Sequence, residues 1–145
     1  FISMIKIDYP VPAFKIKTES QQEFIFDTNR KKWVLLTPEE WVRQNFLQYL
    51  IQTKKYPASL ISVEREINVG ELKKRYDVLI YKNDKPWMII ECKEMEVTLS
   101  EKTILQILNY NQSLDVAFLI ITNGKQTFGI ETSTKKYLSI IPEYK

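Results

Sequence analysis

The chain has no histidine, a single cysteine, Cys92, and three glycines. Without histidine, Ser-His-Asp and Cys-His catalysis, histidine-ligated zinc and His-Asn-His nuclease chemistry are all excluded. One cysteine permits neither an internal disulfide nor a cysteine-based structural zinc site. Strand alternation turns Cys92 away from Glu91 and Lys93, and no imidazole stands by to activate it, so it reads as a buried core residue. Gly70, Gly124 and Gly129 cannot be assembled into a phosphate-cradling loop or a dinucleotide fingerprint. No apolar run approaches bilayer length and the N-terminus lacks a secretory pattern. The expected compartment is the cytoplasm, with no membrane partner.

The 145 residues fit one domain, and 44% hydrophobic with 27% charged residues is ordinary for a soluble globular protein. Phe1, Ile2 and Ser3 precede Met4 and are set aside as a remnant or an internal start. A net charge of +3, from 21 Lys and Arg against 18 Asp and Glu, says little by itself about nucleic acid. Local basic clusters say more: Arg30-Lys31-Lys32, Lys54-Lys55, Lys73-Lys74-Arg75 and Lys135-Lys136 would contact phosphates if the fold gathered them on one side. Solvated loops are the alternative for each.

Short β-like runs, Phe14-Lys15-Ile16-Lys17, Phe24-Ile25-Phe26 and Trp33-Val34-Leu35-Leu36, predict an N-terminal β-elaboration over residues 1–36. The core then occupies residues 37–145. Its first helix runs from Pro38 to about Gln52, with Trp41, Val42, Asn45, Phe46, Tyr49 and Leu50 lining most of one face. Thr37 through Glu40 matches a capping box, and Pro38 suits the first helical position. A strand follows from Leu60 to Ile67, on which alternation sends Glu64 and Glu66 to solvent. The next two strands end and begin around Lys82 and Pro86. A second helix spans about Ser100 to Asn111, where Ile104, Leu105, Leu108 and Asn111 share a mostly apolar face. Val116 to Ile121 reads as a buried strand stopped by Thr122-Asn123-Gly124, and Phe128 to Ile130 and Tyr137 to Ile141 follow. The resulting order is αβββαβ, an α/β fold.

Asp77 and Glu91-Cys92-Lys93 carry the chemistry. Two carboxylates and an ammonium can hold a divalent cation and polarise a water, as phosphodiester hydrolysis requires. Asp77 lies in a strand running into Val78-Leu79-Ile80-Tyr81, while Trp87-Met88-Ile89-Ile90 leads straight into Glu91. If Lys82 pairs with Pro86 around a loop of Asn83, Asp84 and Lys85, Asp77 falls opposite Glu91, and Lys93 projects from the same face. A slip of one residue would send Asp77 to the other side, unless a bulge restored the alignment. A Glu-x-Lys pair on a solvated strand edge is the plain alternative. Lys73-Lys74-Arg75 is the favoured DNA-contacting cluster because it leads into Asp77.

These elements, followed by Gln106 and Tyr110 as a Gln-x-x-x-Tyr element, resemble the PD-(D/E)xK nuclease superfamily. More narrowly, the chain is similar to the N-terminal nuclease domain of type I restriction enzyme R proteins in its small stand-alone form. The segments that carry this likeness are Thr37 to Gln44, Lys74 to Asp77, Pro86-Trp87 with Glu91 to Lys93, and Thr122 to Gly124. Tyr76 stands where the superfamily's name has proline. The resemblance implies a restriction-endonuclease-like core with a mixed central sheet flanked by helices. It also implies magnesium, with manganese as a substitute, held by Asp77, Glu91 and the Cys92 carbonyl, and Lys93 orienting the attacking water. Gln106 and Tyr110, four apart on one helical face, would serve near the metal or the DNA; a plain polar helix face is their other reading. Glu40 is the candidate for the acid that the superfamily often places on its first helix, and Glu64 and Glu66 on the strand from Leu60 to Ile67 are further possibilities. DNA is the implied substrate, with a recognition or translocation partner and a homodimer as further expectations, since no Walker-type motor motif is present. A binding module that does not cleave is the alternative function.

Overall fold

The computed structural model describes residues 3–145, so Phe1 and Ile2 lie outside the described residues. Strands β1 (Ile16–Glu19), β2 (Gln22–Asp27) and β3 (Lys32–Leu35) form an antiparallel three-stranded sheet. Helix α1 (Pro38–Gln48) follows and ends in a π turn over Tyr49–Thr53. Strands β4 (Ile61–Val69), β5 (Leu72–Lys82) and β6 (Lys85–Cys92) come next, then helix α2 (Glu101–Tyr110), and β7 (Phe118–Thr122), β8 (Thr127–Glu131) and β9 (Lys136–Tyr137) complete the chain. These last six strands make one mixed sheet in sequence order, in which only β6 and β7 run parallel, joined across α2.

Period-two alternation in β5, β6 and β7 supplies both faces of that sheet. Val78, Ile80, Met88, Ile90 and Ile120 join a core with Val42, Phe46 and Leu50 of α1. Leu79, Ile89, Leu119 and Ile121 join Ile104 and Leu108 of α2 in a second core. A sheet buried on both sides explains why these strands read as continuous apolar runs. Leu105, expected on the apolar face of α2, is 42% exposed, because the buried stripe runs through Ile104, Leu108 and Asn111. Among the described residues no helix is long and apolar enough to cross a membrane.

Thr37 caps α1 by accepting the Glu40 N–H at 3.0 Å. The capping box is only half made. Thr37 N–H donates to the Leu35 carbonyl, and the Glu40 carboxylate turns instead toward arginines.

The β5–β6 connection differs from expectation. Lys82 pairs with Lys85, not Pro86, around a two-residue turn in which Asn83 and Asp84 both take positive φ, 53° and 63°. That tight turn twists as the hairpin does. Carried on unbroken, its register would set Asp77 opposite Ile90. A bulge corrects it: Tyr81 pairs with Pro86 but Ile80 with Met88, leaving Trp87 as the extra residue. From Val78↔Ile90 the register brings Asp77 opposite Glu91.

Candidate active site

Beyond Val78 and Ile90 the hairpin forks. The first half of β5 stays with β4, whereas Glu91 and Cys92 pair with Ile121 and Thr122 of β7. At the fork Asp77 Oδ2 accepts the Cys92 N–H at 2.8 Å, standing in for a backbone partner. Asp77 and Glu91 therefore meet where two strands part. Lys93 is fixed next to them by its own N–H, which donates to the Thr122 carbonyl at 2.8 Å. The Asn123 side chain braces the following segment through Val97 O, and its other atom accepts from Lys125 and Gln126 N–H.

Burial, then the neighbouring Asp77 carboxylate, pushes the Glu91 carboxyl up to about 8, with Lys93 and Asn111 pulling the other way. Asn111 is buried at the end of α2, and its Oδ1 has no partner among the described residues. The polar residue that α2 brings to Glu91 is thus Asn111. Gln106 is exposed, and Tyr110 goes elsewhere: Lys74 Nζ sits 4.4 Å from its ring centroid and donates to its carbonyl and to Ser113 Oγ. Lys73 and Arg75, on the other face of β5, are exposed. An asparagine on an apolar helix face was the signal in the sequence for this role.

Glu40 does not open onto this fork. It is buried, and it accepts from Arg43 at 2.6 Å, Arg30 at 2.8 Å and Gln44 at 3.0 Å. Burial alone would raise its carboxyl, but the two guanidinium groups prevail and hold it at about 2. Arg30 also grips the fully buried Asp27, so β2, α1 and the fork share one chain of charges. Arg43 continues it, reaching Glu64 at 3.3 Å and Asp77 Oδ1 at 3.7 Å. Its Nη1 has no hydrogen-bond partner among the described residues. Glu64 reaches the arginines because its φ of 52° breaks the alternation of β4 between Val63↔Val78 and Arg65↔Tyr76. That places Glu64 across from Asp77 on the opposite side from Glu91.

The helix acid nearest the fork in charge is Glu39, one position before Glu40. Burial and then Asp77 raise its carboxyl, while Arg43 and Lys93 oppose the shift. Cys92 is buried among the core residues facing α1, and burial pushes its thiol well up. Among the described residues no three acidic, histidine or cysteine side chains form a metal-ligating group. Any ion here would rest on Asp77, Glu91, main-chain oxygen and water.

A family model described as type I restriction enzyme R protein N terminus (HSDR_N) matches residues 38–143, which include α1, the fork and Lys93. No curated protein and no solved structure matches the chain.

Proposed function

The chain belongs to the type I restriction enzyme R protein N-terminal family, and from that premise we propose that it is a metal-dependent nuclease domain hydrolysing phosphodiester bonds in DNA. The observation that carries the reading is the meeting of Asp77, Glu91 and Lys93 at the β5–β6 fork. The order α1, β4, β5, β6, α2, β7 supports assigning it a restriction-endonuclease-like core, with β1 to β3 as an N-terminal elaboration of a single domain.

A hard divalent cation fits the donors. Burial first, and then repulsion from the neighbouring Asp77 carboxylate, raise the Glu91 carboxyl, and a bound cation would relieve both. Magnesium, or manganese in its place, would be held by Asp77, Glu91 and the Cys92 carbonyl and would keep several waters. When bound, it supplies Lewis-acid polarisation of phosphate and water. Lys93 contributes an ammonium that orients the attacking water and offsets charge building on the phosphate. The water oxygen bonds to phosphorus as one ester bond breaks, and no covalent enzyme intermediate forms. Glu39 is the proposed helix acid at the site, and Glu40 positions Arg43 behind it. Lys73 and Arg75 are the proposed phosphate contacts; Lys74 and Tyr110 pair on the opposite face of β5, and Gln106 is exposed on the same helix as Tyr110.

A non-cleaving nucleic-acid platform is the second reading, favoured by one observation: Arg43 stands 3.7 Å from Asp77 and offsets its charge without any metal. Incubating the protein with plasmid and with single-stranded DNA, in magnesium or manganese, decides between them. Cleavage that disappears in both Asp77→Ala and Lys93→Ala supports the nuclease; metal-independent binding without cleavage supports the platform. Type I R proteins work alongside other subunits, so a partner supplying recognition or translocation, and a homodimer for cutting both strands, are further proposals.

A further inference from the structure

Past the fork, β4 and β5 continue alone as a two-stranded ribbon. Five residue pairs form it, from Arg65↔Tyr76 to Val69↔Leu72, and the chain turns at Gly70, whose φ is 63°. β4 is the edge of its sheet and β6 pairs with β5 only from Val78 to Lys82, so among the described residues neither edge of the ribbon carries a further strand. In a regular strand, residues two apart share a face. That rule breaks at the fork: Val78 belongs to the core with α1 and Tyr76 to the core with α2, with Glu64 at positive φ beside the step. The flip decides what the ribbon displays. Ile67 packs on the α2 core and Lys74 is engaged by Tyr110 and Ser113, which leaves the pairs Glu66↔Arg75 and Asn68↔Lys73 on the other face, with all four residues exposed.

Charge divides that face by strand. β5 presents two cations, Lys73 and Arg75, whereas β4 presents an amide, Asn68, and an acid, Glu66. Two strands about 4.8 Å apart fit a major groove about 12 Å wide but not a minor groove about 6 Å wide. Side chains on one face of a strand recur every ~6.8 Å, which matches roughly two base steps of a duplex at about 3.4 Å each. In such a groove the cations suit the phosphate wall and repulsion keeps Glu66 away from it, so β4 is the strand turned to the bases. An asparagine amide offers one acceptor and donors together, the pattern that matches adenine N6 and N7. Arg75 lies two residues before Asp77, so a duplex seated on the ribbon runs on to the carboxylate pair.

We propose that the β4–β5 ribbon enters the major groove of duplex DNA, with Lys73 and Arg75 on phosphates and Asn68 reading an adenine edge. The inference rests on DNA as the substrate assigned above; it adds the form of that substrate and a residue that selects its sequence, and it needs no cleavage. The test selects random-sequence duplexes on the full chain in EDTA, then remakes the enriched duplex with 7-deazaadenine, which lacks the major-groove N7, or with 3-deazaadenine, which is altered only in the minor groove. An adenine fixed among the selected sequences is expected, with binding about tenfold weaker for the 7-deaza base and unchanged for the 3-deaza base. Asn68→Ala, at an exposed position, should keep the parent's Tm and salt dependence and lose the 7-deaza penalty. The Lys73→Ala, Arg75→Ala double variant should weaken all duplexes alike and keep that penalty. No enriched adenine, an equal loss with the 3-deaza base, or a 7-deaza penalty that persists in Asn68→Ala overturns the proposal. Cleavage in magnesium is scored separately: its absence with this binding pattern intact strikes the nuclease reading alone, and cleavage without the pattern strikes the groove reading alone.

Discussion

The backbone N–H of Cys92 donates to Asp77 Oδ2 across 2.8 Å, tying a catalytic candidate to the main chain of the facing strand. The bond is partly buried, so removing the acceptor leaves the Cys92 amide short of its partner, at a cost of about 1 kcal/mol or more. Asp77→Asn retains an oxygen for that bond and Asp77→Ala does not. Urea melts should find the asparagine variant close to the parent and the alanine variant weaker. Equal stability of the two variants would contradict the role assigned to this bond.

The raised Glu91 carboxyl gives stability a pH dependence. With its folded value at about 8 and the ordinary value at 4.5, the folded chain retains a proton that the unfolded chain has released between those limits. Stability therefore falls as pH rises through that window. In metal-free buffer Tm should be lower at pH 8 than at pH 5, with a smaller drop in Glu91→Gln and a recovery when magnesium is added at pH 8. A drop as large in Glu91→Gln as in the parent would point to another group.

Glu40 acts in the opposite sense. Held at about 2 in the folded state, it contributes stability in full above its ordinary value of 4.5, and that contribution is lost as pH falls toward 2. Glu40→Ala leaves Arg43 buried without its main partner and should cost about 3–5 kcal/mol. Glu39→Ala, one residue earlier and exposed, should change stability by no more than about 0.5 kcal/mol while lowering any metal-dependent cleavage. Denaturant curves and cleavage rates on the two variants separate the roles.

The β5–β6 turn offers a gain. Asp84 has φ of 63°, a conformation glycine adopts at no steric cost. Asp84→Gly should raise stability by roughly 0.5–1 kcal/mol and leave DNA binding unchanged. A lowered Tm would mean that the aspartate side chain supports the turn.

Lys73 and Arg75 are exposed beside the fork. If both contact phosphates, the Lys73→Ala, Arg75→Ala double variant will lower the magnitude of the salt slope of duplex binding by about 1.8, near 0.9 for each contact. A slope that does not move would place the DNA on another surface.

The apolar runs of β5, β6 and β7 were legible in the sequence because strands buried on both faces leave little ambiguity. The juxtaposition of Asp77 and Glu91 was read correctly through a wrong turn: a three-residue loop was expected, whereas a two-residue turn and the extra residue Trp87 together give the same offset. Local patterning could not separate these routes. Glu40 illustrates a different limit, since its capping position was plain but its carboxylate answers to Arg30, ten residues away and on a different element. Glu64 was among the possible acids, but alternation sent it to solvent, because a left-handed residue within a strand leaves no mark in hydrophobic alternation. Arg43 was hidden because the partner that gives it meaning, Asp77, lies in a distant part of the chain, whereas Asn111 left a signal, a polar residue on an apolar helix face, that did not name Glu91 as its partner.

The chain of charges from Asp27 through Arg30 to Glu40 crosses the point where the family match begins, at residue 38. Excising the matched region as a portable cassette would discard Arg30 and leave Glu40 short of one of its two guanidinium partners, in a shell stripped of β1 to β3. A transplantable unit has to start upstream of β1, because the scaffolding behind the fork is anchored outside the borders that homology draws.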